Sequence, residues 1–307
     1  MAADMAADMA ADLTLRDARA GLTTTHAAAD DLAGLDALES FRDPRRPLPA
    51  RIWSSVWPKL AAVGLALLIW QVAVWSAWRP QWVLPSPVTV FASLGDMVQT
   101  GEFWNALGNT MRRAVLGFGF ALVVGTAIGL AVARVRVVRT AVGSLITGLQ
   151  TMPSVAWFPL AILFFGLNES AIFFVVVLGA APSIANGLIN GVDYVPPLLV
   201  RAGRVLGARG WSLYRHVILP AALPSYLAGL KQGWAFAWRS LMAGELLVVI
   251  ANRYALGQEM QFARDNSDAV KLISIMIVIL VIGIIVDVLF AAADKRLRSR
   301  RGIVDSV

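Results

Sequence analysis

The chain has 307 residues, of which 58% are hydrophobic and only 15% are charged, and its mean hydropathy is +0.66. Soluble domains are close to half apolar and about one quarter charged, so this composition excludes an ordinary soluble enzyme or nucleic-acid-binding domain. The absence of cysteine excludes disulfide scaffolds and thiolate chemistry, and two histidines are too few for a His-based metal site. The net charge of +7 fits the Lys and Arg excess of cytoplasmic loops in membrane proteins.

The first segment of the chain, residues 1–55, differs in composition from the rest. Met-Ala-Ala-Asp occurs three times in Met1–Asp12, and no sustained apolar run follows in this segment. A signal peptide would have a basic start and then an apolar stretch, and this segment has neither. We predict a disordered cytoplasmic tail, with a docking tail as the alternative. The basic, proline-rich stretch Pro44–Arg51 would anchor the chain on the inside, with lipid recognition as the alternative.

Six long apolar runs follow the tail and predict six transmembrane helices. Each run reaches the roughly 20 residues that a helix needs to cross the hydrocarbon layer, where backbone groups must bond to one another. The predicted fold class is therefore an all-α, polytopic membrane protein with a transmembrane domain over 56–298. A basic cytoplasmic tail, 299–307, would follow it. The predicted spans are 59–78, 113–133, 140–165, 170–192, 222–249 and 271–293.

The distribution of Lys and Arg predicts that both termini face the cytoplasm. With the N-terminus inside, the outside segments hold only Arg79, Arg112, Arg113, Arg253, Arg264 and Lys271. Two of these outside segments are long. Gln81–Arg113 contains an amphipathic stretch and predicts a surface helix with Phe103 and Trp104 at headgroup depth. Ala251–Ala269 is polar and predicts a segment that re-enters or caps an outer opening, and both could instead be plain connecting loops.

The loop between spans four and five, residues 194–220, carries the most informative pattern. It reads Arg201-Ala202-Gly203, three residues, Gly207, nine residues, then Val217-Ile218-Leu219-Pro220. This pattern predicts a helix, a glycine break, a second helix and a proline that opens the next span. Large side chains (Trp211, Leu213, Tyr214, Val217) would face water beside Arg204, Arg209 and Arg215. Such a surface is typical of docking into another protein.

At this loop the chain resembles the permeases of bacterial ABC importers. Their coupling loop reads Glu-Ala-Ala, three residues, Gly, nine residues, Ile, one residue, Leu-Pro, and the spacing from Gly207 through Val217 to Leu219 and Pro220 is the same. Arg201 stands where the family has Glu, and Gly203 where it has the second Ala. A salt bridge made by that Glu therefore cannot be carried over to this chain.

The resemblance extends over about Trp82–Arg298 and favours the nitrate/sulfonate/taurine-type branch. The segments that carry it are Trp82–Val88, Asn109–Phe118, Met152–Pro159, Leu163–Asn168 and Trp238–Leu246. The resemblance implies that two copies of this permease, or this one and a close relative, form the pore and dock on two cytoplasmic ATPases, with a homodimer favoured. It also implies an extracytoplasmic binding protein that delivers substrate. The chain has no Gly-x-x-x-x-Gly-Lys-Ser/Thr loop, so we expect no enzymatic activity and no cofactor in it; ATP and Mg²⁺ would bind the partner ATPase.

Polar and ionisable residues inside the predicted spans are candidates for the translocation pathway, because burying them in a membrane is costly. Arg239 and Glu245 lie about 120° apart on span five, so no direct pair is implied. Arg239 could attract an anion, bond to the carbonyls of a neighbouring helix or pair with an acid elsewhere. Asp287 could pair with the C-terminal basic cluster. The remaining candidates are Met152 and Pro153 at an expected break of the third run, Asn186 and Asn190 on one face of span four, and Trp238.

Two further candidates concern packing. Interhelical hydrogen bonding is the alternative role for Asn186 and Asn190, and Ser183 lies one turn earlier on the same face. Gly117, Gly125 and Gly129 form a strip of small residues on span two, which predicts close helix packing.

Three functional hypotheses fit a multi-span chain. The first is an importer permease for a small anion, with an aliphatic sulfonate favoured over nitrate, taurine, bicarbonate or a thiamine precursor. The second is a stand-alone secondary transporter, which would predict an internal repeat and more carboxylates in the spans than Glu245 and Asp287. The third is an intramembrane enzyme, which the lack of cysteine and of histidine in the spans argues against.

Overall fold

The computed structural model describes residues 48–250 and 253–300. Every regular element in these ranges is helical, which confirms the predicted all-α fold. The predicted tail up to residue 47 and the predicted basic tail from residue 301 lie outside the described residues. The first helix begins at Leu48, so it starts within the segment 1–55 that was predicted to be disordered.

The helices are numbered here in chain order. They are α1 Leu48–Trp75, α2 Pro87–Val98, α3 Gly101–Arg134, α4 Arg136–Thr151, α5 Phe158–Phe165, α6 Glu169–Asp193, α7 Pro197–Val205, α8 Trp211–Leu213, α9 Leu219–Leu247, α10 Leu256–Asp265 and α11 Ala269–Arg300. A 3-10 turn, Ser154–Trp157, precedes α5, and a π turn, Tyr214–Ile218, joins α8 to α9.

Within the described ranges, 4 helices are long and apolar enough to cross a membrane. They contain the segments Val56–Trp75, Gly101–Arg134, Glu169–Asp193 and Ala269–Leu297. The other two predicted spans differ for physical reasons. The run 140–165 is divided between α4 and α5, and α9 carries Lys231, Arg239 and Glu245. The chain is a multi-pass membrane protein, and the count of six spans stays a prediction.

The chain forms two compact units, Met1–Ile69 and Trp70–Val307. In the first unit, most large apolar side chains of α1 between Leu60 and Ile69 are exposed, as expected of a helix that faces lipid. In the second unit, α6 lies at the centre and packs along both α3 and α9.

Glycines let the three central helices approach one another closely. A Cβ atom on Gly125 of α3 would lie 2.7 Å from the carbonyl oxygen of Ala181 in α6. A Cβ atom on Gly187 of α6 would lie 2.5 Å from the Cα atom of Gly229 in α9. Side chains at these positions would force the backbones apart, so the predicted packing role of the Gly117/Gly125/Gly129 strip is confirmed.

The segment Gln81–Arg113 is more regular than the predicted surface helix. Ser86 caps α2 by accepting a hydrogen bond from the Thr89 amide, and Pro87 occupies its first turn. Thr100 caps α3, which runs without a break to Arg134 and therefore begins well before the predicted span 113–133. At 1.5 Å per residue α3 is about 50 Å long, so its first turns extend beyond a hydrocarbon layer of about 30 Å.

The third apolar run is broken where the sequence predicts it. Helix α4 ends at Thr151, Met152 is extended, and the 3-10 turn then leads into α5. Pro153 begins this turn and Pro159 occupies the first turn of α5, where its missing N–H costs no hydrogen bond. Two prolines thus convert one apolar run into two helices.

Candidate coupling surface and membrane pathway

The loop 194–220 has the predicted order of helix, glycine break and helix. Helix α7 ends at Val205, and Gly207 and Gly210 have φ angles of +86° and +52°, a region that favours glycine. The chain then turns through α8 and the π turn into α9, with Pro220 in the first turn of that helix. The loop is therefore a structured helical hairpin that continues into α9.

The inner face of this hairpin is packed. A Cβ atom on Gly203 would lie 2.8 Å from Cγ2 of Val217 and 3.1 Å from Cδ1 of Leu213. Leu213 is 7% exposed, and Val217 and Tyr214 are partly buried. The prediction that Leu213, Tyr214 and Val217 face water is therefore wrong for Leu213 and only partly right for the other two. The absence of a side chain on Gly203 is what lets α7 lie against this segment.

The outer face of the hairpin is apolar at its tip. Val205 and Leu206 are 88% and 87% exposed, and Leu198 and Trp211 are also exposed. Sequence reasoning identified Trp211 alone among these, because Val205 and Leu206 precede Gly207 without a pattern that marks their direction. Several other predicted loop residues are exposed around this tip: Arg201, Ala202, Arg204, Arg209 and Arg215. We call Leu198, Val205, Leu206 and Trp211 the apolar tip.

The hairpin contacts the end of α3. The guanidinium carbon of Arg134, the last residue of α3, lies 5.5 Å from the ring centroid of Trp211 and 5.9 Å from that of Tyr214. Arg139 near the start of α4 forms an ion pair with Asp193 at the end of α6. The hairpin is therefore in contact with α3 through the two aromatic rings and continues directly into α9.

Arg239 and Glu245 have different surroundings, as their angular offset predicts. Arg239 is exposed, its Nε donates to the carbonyl oxygen of Ala235, and its guanidinium lies 5.1 Å from the ring centroid of Phe236. Glu245 is fully buried. Among the described residues, Arg239 has no carboxylate partner, so its charge remains available to an anion.

Glu245 belongs to a buried polar cluster that sequence reasoning missed. Its carboxylate accepts hydrogen bonds from Thr110 Oγ1 at 2.9 Å, from Arg113 Nη1 at 3.2 Å and from the Gly257 amide at 3.1 Å. Arg113 also donates to Glu169, which pairs with Arg253 at 3.0 Å. The sequence placed Arg113 in an outside loop, and only the early start of α3 brings it into the core.

The polar residues of span four act chiefly between helices. The amide nitrogen of Asn186 donates to Gln150 Oε1 at 2.8 Å, and Gln150 Nε2 donates to Ser183 Oγ at 2.9 Å. This pattern confirms the interhelical role for Asn186 and links α4 to α6. Asn190, one turn further on, is exposed.

The remaining predicted pathway residues differ in their exposure. Met152 and Pro153 are exposed at the break before α5. Trp238 is 9% exposed and stacks on Trp234, with ring centroids 6.2 Å apart. The prediction that Asp287 pairs with the C-terminal basic cluster is wrong: its Oδ1 lies 2.9 Å from Nζ of Lys231. Its partner, Lys231, lies on the facing helix α9 and is within reach of the Asp287 side chain.

Apolar helices that could cross a membrane and a structured loop with an exposed apolar tip are typical of a membrane subunit that docks on another protein. The family described as binding-protein-dependent transport system inner membrane component matches residues 117–299, more than half of the chain. The chain belongs to this family of ABC importer permeases. These proteins are membrane pore subunits and not enzymes, and the ATPase is a separate subunit.

Three relatives illustrate the branch. A probable ABC transporter permease protein of Brucella melitensis is 30% identical over 244 residues, which cover 78% of this chain and 98% of the relative. SsuC of Bacillus subtilis, assigned to aliphatic sulfonates transport, is 29% identical over 242 residues, which cover 78% of this chain and 87% of the relative. TauC of Escherichia coli, a taurine transport system permease protein, is 29% identical over 225 residues, which cover 73% of this chain and 80% of the relative. These matches confirm the resemblance to the sulfonate and taurine branch.

A solved structure supports the fold. A chain of the MetNI methionine ABC transporter in an inward-facing conformation aligns with a TM-score of 0.54 and 19% identity, covering 64% of this chain and 96% of its own length. At this identity the match shows the helical arrangement alone.

Proposed function

We propose that this chain is the permease subunit of an ATP-driven importer in which a second copy completes the pore. Two cytoplasmic ATPase subunits, which bind ATP and Mg²⁺, would each receive one apolar tip. An extracytoplasmic binding protein would deliver the substrate. The protein would lie in a bacterial inner membrane with both termini in the cytoplasm, as the Lys and Arg distribution favours.

The observation that carries this proposal is the hairpin 194–220. An exposed apolar patch in an aqueous loop is typical of a protein–protein contact, and Val205 and Leu206 are nearly as exposed as free side chains. The packing of Gly203 on Val217 and of Arg134 on Trp211 keeps the hairpin in one shape. A rigid lever can convert a movement of a bound ATPase into a movement of α3 and α9.

The substrate we propose is a small organic anion, most simply an aliphatic sulfonate. The support is the similarity to the relatives assigned to sulfonates and taurine, together with the exposed Arg239, which has no carboxylate partner in the part of the chain that the structure describes. Nitrate, bicarbonate, taurine and a thiamine precursor are the alternatives within the same importer class. The stand-alone transporter of the second hypothesis has no support from the family.

Co-purification with the ATPase subunit tests the coupling role. The variants Trp211→Glu and Val205→Glu introduce a charge into the apolar tip and should abolish retention of the ATPase on the tagged permease. Val88→Glu is the matched control, because Val88 is 75% exposed on α2, outside the loop. Retention of the ATPase by both tip variants would contradict the proposal.

Uptake into proteoliposomes tests the energy source. With the ATPase and the binding protein present, alkanesulfonate should accumulate only when ATP is supplied. Accumulation by the permease reconstituted alone would show a stand-alone transporter and overturn the proposal. ATP-dependent accumulation of another anion in place of the sulfonate would correct the substrate and leave the importer role intact.

A further inference from the structure

A groove between α9 and α11 combines an apolar section with a charged end. The apolar section has a volume of about 540 Å³ and is lined by residues that include Met242, Met276, Leu280 and Ile284. The adjoining section, of about 150 Å³, is lined by Lys231, Trp234, Arg239, Asp287 and Phe290 among others. Trp238, Gly283 and Asp287 line both sections, so the two sections are adjacent, and we treat them together as one groove.

The charges of this groove lie well inside α9 and α11, and Asp287 falls within the candidate membrane span Ala269–Leu297. Arg239 lies about 30 Å along α9 from its start at Leu219, and Asp287 lies about 27 Å along α11 from Ala269, at 1.5 Å per residue. Lys231 and Asp287 are 45% and 59% exposed although they pair with each other. Charged side chains within a bilayer face a protein interior or a water-filled cavity, so this face is not a lipid face.

The charge balance of the groove favours an anion. Lys231 and Asp287 neutralise each other across 2.9 Å, and Arg239 adds one positive charge with no carboxylate partner among residues 48–250 and 253–300. Trp234 also lines this section, and its indole N–H is buried and has no acceptor within those ranges. An anionic head group at this end would gain a charge-assisted hydrogen bond from Arg239.

The apolar section sets the size and chemistry of the rest of the ligand. Apart from Asp287, which is paired with Lys231, its lining is glycine, valine, methionine, leucine, isoleucine and one tryptophan, which solvate alkyl groups and offer little to a purely inorganic ion. A volume of about 540 Å³ is within the range of small-molecule sites. A ligand that uses both sections has an anionic head and a short alkyl tail.

We propose that this groove binds an amphipathic organic anion, with its charged head at Arg239 and its alkyl tail between Trp238, Met242 and Ile284. The proposal rests on the proposed importer function and narrows its substrate class: alkanesulfonates fit, and nitrate or bicarbonate would leave the apolar section unused. An anionic phospholipid shares the same chemistry of head and tail and is the other source to be distinguished. The site is separate from the coupling hairpin, so the two can fail independently.

Cysteine labelling tests the groove directly, because the natural chain has no cysteine. Ile284→Cys places a thiol in the apolar section, and Ile285→Cys is the matched control: the two positions are 54% and 53% exposed, and only Ile284 lines the groove. The full-length chain in phosphatidylcholine nanodiscs is treated with the anionic 2-sulfonatoethyl or the cationic 2-(trimethylammonium)ethyl methanethiosulfonate. The ratio of the anionic to the cationic labelling rate is the readout.

We expect this ratio to be roughly tenfold higher at Ile284→Cys than at Ile285→Cys, since one fixed positive charge in a weakly screened site is worth about 1.4 kcal/mol or more. Arg239→Gln should lower the ratio at Ile284→Cys to that of the control. Hexanesulfonate should slow labelling of Ile284→Cys, and nitrate and hexanol at the same concentration should not.

Four results would overturn the proposal. An unchanged ratio in Arg239→Gln would remove the anion site, and equal protection by nitrate would show a small-ion site. Protection by phosphatidylglycerol in the nanodisc without protection by hexanesulfonate would identify a lipid site. Spontaneous Ile284→Cys cross-linking between two copies, with no labelling, would show that a second copy fills the groove. None of these results depends on the ATPase, so each is distinguishable from a failure of the proposed function.

Discussion

The Nη1 atom of Arg113 lies 3.2 Å from Oε1 of Glu245, and the two side chains are 1% and 0% exposed. The pair joins α3 to the last turn of α9. Glu245 also accepts from the Gly257 amide, and Thr110 Oγ1 accepts from the Leu256 amide, so the start of α10 is fixed to the same point. A buried charge without its partner is costly, which makes this cluster a sensitive point for stability.

Arg113→Met should destabilise the protein strongly, because it leaves Glu245 buried without its cation. Loss of one partner of a buried pair typically costs about 3–5 kcal/mol. The measurement is the midpoint of thermal unfolding in detergent, followed by fluorescence-detected size exclusion. Arg112→Gln is the control, since Arg112 is 51% exposed in its bond to Glu169 and should contribute less than about 1 kcal/mol.

A double variant separates charge burial from a general packing defect. Arg113→Met combined with Glu245→Met replaces the pair by apolar side chains and should recover much of the lost stability. A double variant as unstable as Arg113→Met alone would show that shape, not the unpaired carboxylate, is responsible.

Gly187→Ala should prevent close packing of α6 on α9. The added methyl would lie 2.5 Å from the Cα atom of Gly229, which is backbone and cannot rotate away. We expect a loss of about 1–3 kcal/mol, as in overpacked cores, measured by the same unfolding midpoint. Gly119→Ala on α3 meets no atom within 4 Å and should stabilise its helix by about 0.5–1 kcal/mol. Equal shifts of the unfolding midpoint in Gly187→Ala and Gly119→Ala would contradict the close contact between α6 and α9.

Arg134→Gln should loosen the connection between the coupling hairpin and α3. The substitution removes the cation from above the rings of Trp211 and Tyr214 and leaves the apolar tip intact. The reconstituted importer should keep its ATPase subunits but transport fewer substrate molecules for each ATP hydrolysed, which paired uptake and phosphate-release assays measure. Arg296→Gln, an exposed arginine near the end of α11, is the control. If Arg134→Gln transports as many substrate molecules for each ATP hydrolysed as the natural chain, Arg134 has no part in coupling.

The all-α class and the hairpin at residues 194–220 could be predicted because their signals are local. Long uncharged runs require helices in a membrane, and glycine and proline mark the turns of residues 194–220 by their own backbone preferences. The break at Pro153 is predictable for the same reason. Helix boundaries were less accurate, since the first turns of α3 are too polar to be recognised as part of a span.

The partners of the charged residues could not be predicted, because pairing depends on three-dimensional packing. Arg113 and Glu245 are 132 residues apart in the chain, and Lys231 meets Asp287 only because α9 faces α11. The burial of Leu213 could not be predicted for the same reason, because it depends on packing between two short helices of the loop. Its neighbours in sequence suggest a water-facing loop, and the missing side chain of Gly203 is what allows α7 to cover it.

Gln150 connects α4 to α6 by accepting from Asn186 and donating to Ser183, and this arrangement distinguishes a packing role from a transport role. Gln150→Leu should cost about 1–3 kcal/mol, because it leaves polar groups of a partly buried contact without partners. Asn190→Leu should change stability by less than about 0.5 kcal/mol, since Asn190 is exposed. The unfolding midpoint and the initial uptake rate are measured for both. If Asn190→Leu lowers uptake at unchanged stability, Asn190 contributes to the translocation pathway; if uptake is also unchanged, that predicted role is wrong.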